Sequence, residues 1–253
     1  MIIAQISDTH LAAADAADAV FAARADNLRR CIVDINGLDP GPDVVIHTGD
    51  MTHRGQAADF AYARELLAEL RTPLFVTPGN RDGRRGMAAA FAADGYLAAG
   101  DGFVHYAVEA FPVRLVALDS LSSDERKGDL CRARLRALEA TLAAQPTKPT
   151  AIFMHHPPFD VVGAKDPFQL TRRQAADDLA ETLGRHPQVI RIFCGHAHRS
   201  RSVRIAGAVA STMPSVAVDL NLERAPAAAG APVYQIHRYA EGTGFVTETR
   251  QAA

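Results

Sequence analysis

Seven side chains that can bind metal lie in five short segments of the chain. They are Asp8 and His10 in Ser7-Asp8-Thr9-His10, Asp50 in His47-Thr48-Gly49-Asp50 and Asn80 in Thr77-Pro78-Gly79-Asn80-Arg81-Asp82. The others are His155 in Met154-His155-His156-Pro157-Pro158, and His196 and His198 in Cys194-Gly195-His196-Ala197-His198. Imidazole, carboxylate and amide oxygen form a mixed hard and borderline donor set. It suits zinc, manganese, iron or cobalt better than calcium or a thiolate-bound ion. Seven donors are too many for one tetrahedral ion. They fit two divalent ions about 3.5–4 Å apart that share one carboxylate. Asp8 and His10 are two residues apart, as are His196 and His198, so in extended backbone each pair points to one side. Gly49, Gly79 and Gly195 each stand directly before a candidate, where a sharp turn or a close backbone approach is expected.

The elements needed to hold these residues are visible as pattern. Short apolar runs at residues 1–7, 43–48, 73–77, 102–108, 112–118, 149–154 and 188–194 read as strands buried on both faces. Between them, stripes at spacings of three and four predict helices over 18–37, 56–70 and 129–144. Strands alternating with helices predict an α/β fold. Five of the strands end in Asp, Asn or His, and the carboxyl edge of such a sheet is where ligands bind. Asp82 is expected either to accept a hydrogen bond from a ligand histidine or to cap a helix over 83–93. Lys165-Asp166-Pro167 reads as a helix start. His47 is expected to pack inward from its strand, and His105, His186 and His237 to be structural or on the surface. Past residue 200 the helical period stops, and strand-like runs follow at 202–206, 214–219, 232–238 and 244–249. These are expected to be antiparallel strands that complete the second sheet of a domain spanning 1–253. Glu223 to Pro232, rich in Ala and Pro, reads as a loop.

Composition narrows the function. The chain has 253 residues, 27 Lys+Arg against 29 Asp+Glu, and a formal net charge of -2. That balance argues against a protein that grips a nucleic acid polymer by bulk charge. No run approaches the roughly 18 apolar residues of a membrane span, and the N-terminus lacks the basic start of a signal peptide. The three cysteines fit neither a disulfide framework nor a Cys-rich zinc site, and a cytoplasmic, reducing setting is expected.

The five segments, in this order, resemble the calcineurin-like metallophosphoesterases over roughly residues 1–200. The likeness is nearest to the class III cyclic nucleotide phosphodiesterases and the related glycerophosphodiesterases. Ser211-Thr212-Met213-Pro214-Ser215 resembles that subgroup less specifically. The resemblance implies a four-layer α-β-β-α sandwich with two central mixed sheets. It implies that Asp8, His10, Asp50 and His198 bind a first ion and Asp50, Asn80, His155 and His196 a second, with Asp50 bridging. His155 is preferred to the adjacent His156, which is left as a candidate pocket and catalytic residue. The implied reaction is hydrolysis of a small anionic phosphodiester by a hydroxide between the ions. Four positive charges from the ions, less two carboxylates and the hydroxide, leave about one to attract the ester.

One position departs from the family. Most relatives read Gly-Asn-His at the third motif, and here it is Gly79-Asn80-Arg81. Arginine is a forked phosphate donor but a poor proton donor. Arg81 is therefore expected to clamp the phosphate, with the leaving group protonated by water, His53 or His156. His53 is also a candidate for the substrate wall. The alternatives are a phosphomonoesterase or protein phosphatase on the same centre, and a non-catalytic binding module. The protein-phosphatase signature is missing, because His53-Arg54-Gly55 and Asn80-Arg81-Asp82 stand in its place. The antiparallel tail offers a pairing edge for a homodimer or higher homo-oligomer.

Overall fold

Strands form where β-branched and apolar residues run for four to six positions, and they alternate faces along their length. A computed structural model describes residues 1–13, 18–97, 102–122, 126–222 and 230–253. β1 (Ile2–Ile6), β2 (Val44–His47) and β3 (Leu74–Val76) pair in parallel. β10 (Val233–Ala240) and β11 (Gly244–Gln251) continue that sheet antiparallel, giving the order β11-β10-β1-β2-β3. The second sheet has the order β4-β5-β6-β7-β9-β8. Its strands are β4 (Tyr106–Val108), β5 (Arg114–Ala117), β6 (Thr150–Phe153), β7 (Val189–Cys194), β8 (Arg201–Ile205) and β9 (Ala208–Thr212).

Period-two alternation sorts the core into layers. Ile3, Val44 and Ile46 of the first sheet meet Leu115, Ala117, Phe153 and Phe193 of the second. Their neighbours turn outward. Val116, Ile152, Ile192 and Cys194 pack on Leu138 and Leu142 of α4 (Arg132–Ala143) and on Leu179 and Leu183 of α5 (Arg173–Gly184). On the other side Ala4, Ile6, Val45 and Val76 pack on α1 (Ala19–Asn36), α2 (Ala57–Leu67) and α3 (Arg84–Ala90). The contacts are those of Leu28, Ile32, Phe60, Ala63 and Met87. Each fully buried side chain of this kind stabilises the fold by about 1.5–3 kcal/mol. The result is the expected order of helices, sheet, sheet, helices. α1 starts where Asp18 Oδ1 accepts from the Val20 amide at 2.8 Å, a side-chain cap on an otherwise unpaired donor.

Several expectations are corrected. The tail does not complete one sheet: β8 and β9 extend the second sheet, and β10 and β11 extend the first. β9 runs parallel to β7. Residues 214–219 are not a strand; a buried loop there leads into a 3-10 turn, Val218–Leu220. Only Tyr106–Val108 of the run 102–108 is a strand. Lys165-Asp166-Pro167 starts no helix, and α5 begins at Arg173 instead, over a stretch where no helix was expected. Of the loop expected at Glu223 to Pro232, residues 223–229 lie outside the described residues. Among the described residues no helix is long and apolar enough to cross a membrane.

Candidate metal centre

The loops after β1, β2, β3, β6 and β7 converge at the carboxyl ends of those strands. They do so through strained backbone. Asp8, His10, Asp50, His196 and His198 have φ of 56°, 45°, 51°, 66° and 51°. Among the described residues the one other non-glycine with positive φ is Ala206. Such conformations cost about 1–3 kcal/mol each and persist where the surroundings over-determine them. Asp8 and His10 therefore face one centre by tight left-handed turns, not by the extended backbone expected from their spacing.

Glycine makes the convergence possible. A Cβ on Gly79 would stand 2.1 Å from the Asp50 amide nitrogen, and one on Gly195 would stand 2.1 Å from Ser7 Oγ. Neither position tolerates a side chain without moving a candidate ligand loop.

Asp50 occupies the middle of the cluster. Its Oδ2 is 3.5 Å from His10 Nε2 and 3.5 Å from His155 Nε2. Its Oδ1 accepts from the Arg81 amide at 2.7 Å. On one side Asp8 Oδ1 lies 3.1 Å from His198 Nε2 and 3.9 Å from His10 Nε2. On the other side Asn80 Oδ1 lies 2.9 Å from His196 Nδ1 and 3.2 Å from His155 Nε2. The three residues Asp8, His10 and His198 bring ligand atoms within 4.8 Å of one another. So do Asp8, Asp50 and His155, and so do His155, His156 and His196.

The residues present fit divalent cations on three grounds. First, both ring nitrogens of the buried His10 lack a hydrogen-bond partner, which is costly unless something else satisfies them. Second, the outward nitrogens of three histidines are taken. His155 Nδ1 donates to Thr48 O at 2.8 Å and His198 Nδ1 to Leu220 O at 3.1 Å. His196 Nε2 meets Gln169 Oε1 at 2.9 Å. A carbonyl can only accept, so these contacts hold a proton on the outward nitrogen and turn the opposite nitrogen to the centre.

Third, the buried carboxylates are ionised and call for positive charge at the centre. Burial holds His10 down at about 4 and His196 at about 3, so both rings are neutral near pH 7. Burial opposes the charged form of Asp8, but the rings of His198, His155 and His10 together outweigh it and keep the carboxyl far below its usual range. His155 is held up at about 9: burial opposes its charge and the facing Asp50 carboxylate prevails, so without a cation this ring carries the positive charge that a bound cation would replace.

The loops are locked from behind. Asp82 accepts from the amides of Met51 at 3.1 Å, Thr52 at 2.9 Å and Gly79 at 3.0 Å, and from Thr52 Oγ1 at 2.9 Å. It neither meets a ligand histidine nor caps α3, whose N-cap is Gly83. His47 is packed inward as expected, accepting from the Gly49 amide and meeting Thr9 Oγ1. Ser7 Oγ donates to Asp8 Oδ2 at 2.6 Å, and Ser215 Oγ donates to Asp8 O at 2.8 Å. Thus the tail segment Ser211–Ser215 supports the first ligand loop.

The cluster opens on a cleft of about 630 Å³ whose lining includes His10, Asp50, Asn80, His196 and His198. Arg81, Arg126 and Lys127 form its basic wall, with Asp166 paired to Lys127 at 2.6 Å. His53 lies beside this cleft, in a hollow shared with Asn80 and Arg81, its ring 6.0 Å from that of His10. His156 does not line the cleft. It is fully buried, with Nδ1 2.9 Å from Ser120 Oγ and its ring 4.5 Å from the His196 ring. Burial keeps it neutral. A general acid must reach the leaving-group oxygen, and His156 sits behind the ligands instead. Gln169 and Lys127 were missed in the sequence. Each stands in a loop with no local pattern, and only the fold brings them to the cleft.

This fold and this cluster define a metallophosphoesterase, and comparison with known proteins agrees. The family model of the calcineurin-like phosphoesterases matches residues 1–200, and the chain belongs to that family of metal-dependent hydrolases. It is 32% identical over 256 residues to the "Probable glycerophosphodiester phosphodiesterase GpdQ" of Arcobacter nitrofigilis, across 98% of this chain and 92% of that protein. It is 33% identical over 227 residues to the "Glycerophosphodiester phosphodiesterase GpdQ" of Enterobacter lignolyticus, across 85% of this chain and 77% of that protein. A "Probable cyclic nucleotide phosphodiesterase" of Rhodopseudomonas palustris is 35% identical over 179 residues, 69% of this chain and 64% of that protein. In fold, a dimetal phosphatase from Danio rerio superposes with a TM-score of 0.73 at 18% identity, across 100% of this chain and 99% of that one.

Proposed function

We propose that the protein hydrolyses small phosphodiesters of the glycerophosphodiester or cyclic nucleotide kind at a centre holding two divalent cations. The observation that carries this reading is Asp50 Oδ2, which stands 3.5 Å from one histidine of each ligand set. Asp8, His10, Asp50 and His198 would hold the first cation, and Asp50, Asn80, His155 and His196 the second. Manganese, iron, zinc or cobalt suits these donors. When bound, the cations supply Lewis acidity that makes water nucleophilic near neutral pH and neutralises phosphoryl oxygens.

The chain's own residues do the positioning. Arg81, Arg126 and Lys127 on one wall draw in an anion. Arg81 clamps the phosphate as a forked donor. With no proton to give from Arg81 and His156 out of reach, the leaving group is protonated by water or by His53. The names of the relatives in both the glycerophosphodiester and the cyclic nucleotide groups support a diester substrate. The formal net charge of -2 favours a small ester over a nucleic acid polymer. A cytoplasmic setting suits the buried free thiols of Cys31 and Cys194.

The test is a hydrolysis screen after reconstitution with each metal. It compares bis(p-nitrophenyl) phosphate, p-nitrophenyl phosphate, cyclic AMP and glycerophosphocholine. Diester turnover that is lost in Asp50→Ala is the expected result. A preference for the monoester would overturn the substrate class.

A further inference from the structure

Arg191 is a buried cation with no carboxylate partner among the described residues. It lies on β7, five residues before His196, so roughly 16 Å back along the strand from the ligand loop. Its side chain points between the two sheets, on the Phe193 face of β7, with its guanidinium 5.0 Å from the centre of the Phe193 ring. Only 6% of the residue is exposed. Nη2 donates to Ser211 Oγ at 2.8 Å and to Thr247 Oγ1 at 3.2 Å. Among the described residues Nε has no acceptor and the guanidinium has no carboxylate partner. Burial draws its ionisation down to about 10, still charged near neutrality.

A buried charge without a counter-charge is expensive, and the surroundings do not relieve it. The nearby His237 is kept neutral by burial and by Arg191 itself. Its ring is satisfied by Thr247 and Gln5. Gln235, 4% exposed, leaves its Oε1 without a partner in the same place. Arg191, Gln235 and Thr247 line a cleft of about 420 Å³ where β8 and β9 of one sheet face β10 and β11 of the other. Ser211, Thr247 and Thr249 put hydroxyls on its walls.

We infer that this cleft is a second binding site, separate from the metal centre, for the oxyanion head group of a small molecule. Arg191 supplies the charge and the Ser211 and Thr247 hydroxyls orient the oxygens. A phosphate and a carboxylate share this chemistry, since a guanidinium fork and hydroxyl donors serve both. The volume leaves room for an organic body behind the head group.

The test measures thermal midpoints of the metal-loaded protein in sodium chloride, sodium phosphate and sodium acetate at matched ionic strength. Wild type is compared with Arg191→Met, which removes the charge and keeps the bulk. Any phosphate bound at the metal centre stabilises both proteins equally, so the difference between them reports the cleft. The expected result is a rise of several degrees in phosphate or acetate for wild type, absent or much smaller in Arg191→Met. That variant should keep wild-type diester turnover. The more effective of the two anions identifies the head group. Equal rises in both proteins, or no rise in wild type with either anion, would overturn the site. If Arg191→Met does not fold, the double variant Ser211→Ala/Thr247→Val replaces it, and the same two outcomes decide.

Discussion

Gln169 Oε1 stands 2.9 Å from His196 Nε2, and Asn80 Oδ1 stands 2.9 Å from the opposite ring nitrogen. The glutamine thereby presents Nδ1 of His196 to the second ligand set. Partners of this kind are worth about 10–100-fold in metal affinity. Gln169→Ala is expected to weaken one of the two bound cations by about that factor and leave the other unchanged. A metal titration followed by calorimetry checks this. Affinities unchanged from wild type at both sites would remove the role.

Arg81→Ala is expected to raise KM and lower diester kcat/KM by about 10–100-fold, the range of a charge-assisted hydrogen bond. Metal content should not change, because the backbone amide of Arg81, not its side chain, meets Asp50. Steady-state kinetics with parallel metal analysis decide between a phosphate clamp and a bystander.

His156→Asn should leave both limbs of the kcat against pH profile in place. The buried ring lies behind the ligands, where it can support His196 but cannot reach a leaving group. Lower stability is expected, because the volume of a buried ring is lost. Disappearance of one limb would return His156 to the reacting atoms.

Asp82→Ala strips an acceptor from three amides and a hydroxyl. Unsatisfied buried donors cost about 1–3 kcal/mol each, with part regained by water. A net loss of about 2–4 kcal/mol in chemical denaturation is expected. Weaker metal binding should accompany it, because the loops of Asp50 and Asn80 share this anchor. Unchanged stability would show that Asp82 is dispensable to both loops.

The candidate ligands were legible because their chemistry is local. Each candidate follows an apolar run that can only be a buried strand, and strand ends of an α/β sheet meet along one edge. What could not be read depends on distant packing. The left-handed turns at Asp8 and His10 are enforced by hydrogen bonds to Gly49 O and Asp50 O, some forty residues on. Asp82 could not be assigned from its neighbours because three of its four donors, the Met51 and Thr52 amides and the Thr52 hydroxyl, lie in another loop. The partition of the tail between two sheets was hidden for a related reason. β9 is placed by parallel pairing with β7, and parallel pairing leaves no turn signal. α5 did carry a signal, Ala175, Leu179, Thr182 and Leu183 on one face, masked by an alanine-rich, charged sequence.

The most direct measurement is metal stoichiometry against activity. Elemental analysis of the reconstituted protein should give two divalent ions per chain at full diester turnover. Asp50→Ala, without the carboxylate common to both sets, should hold at most one and lose turnover. Full activity with one ion or none, or with Asp50 replaced, would contradict a shared two-cation centre.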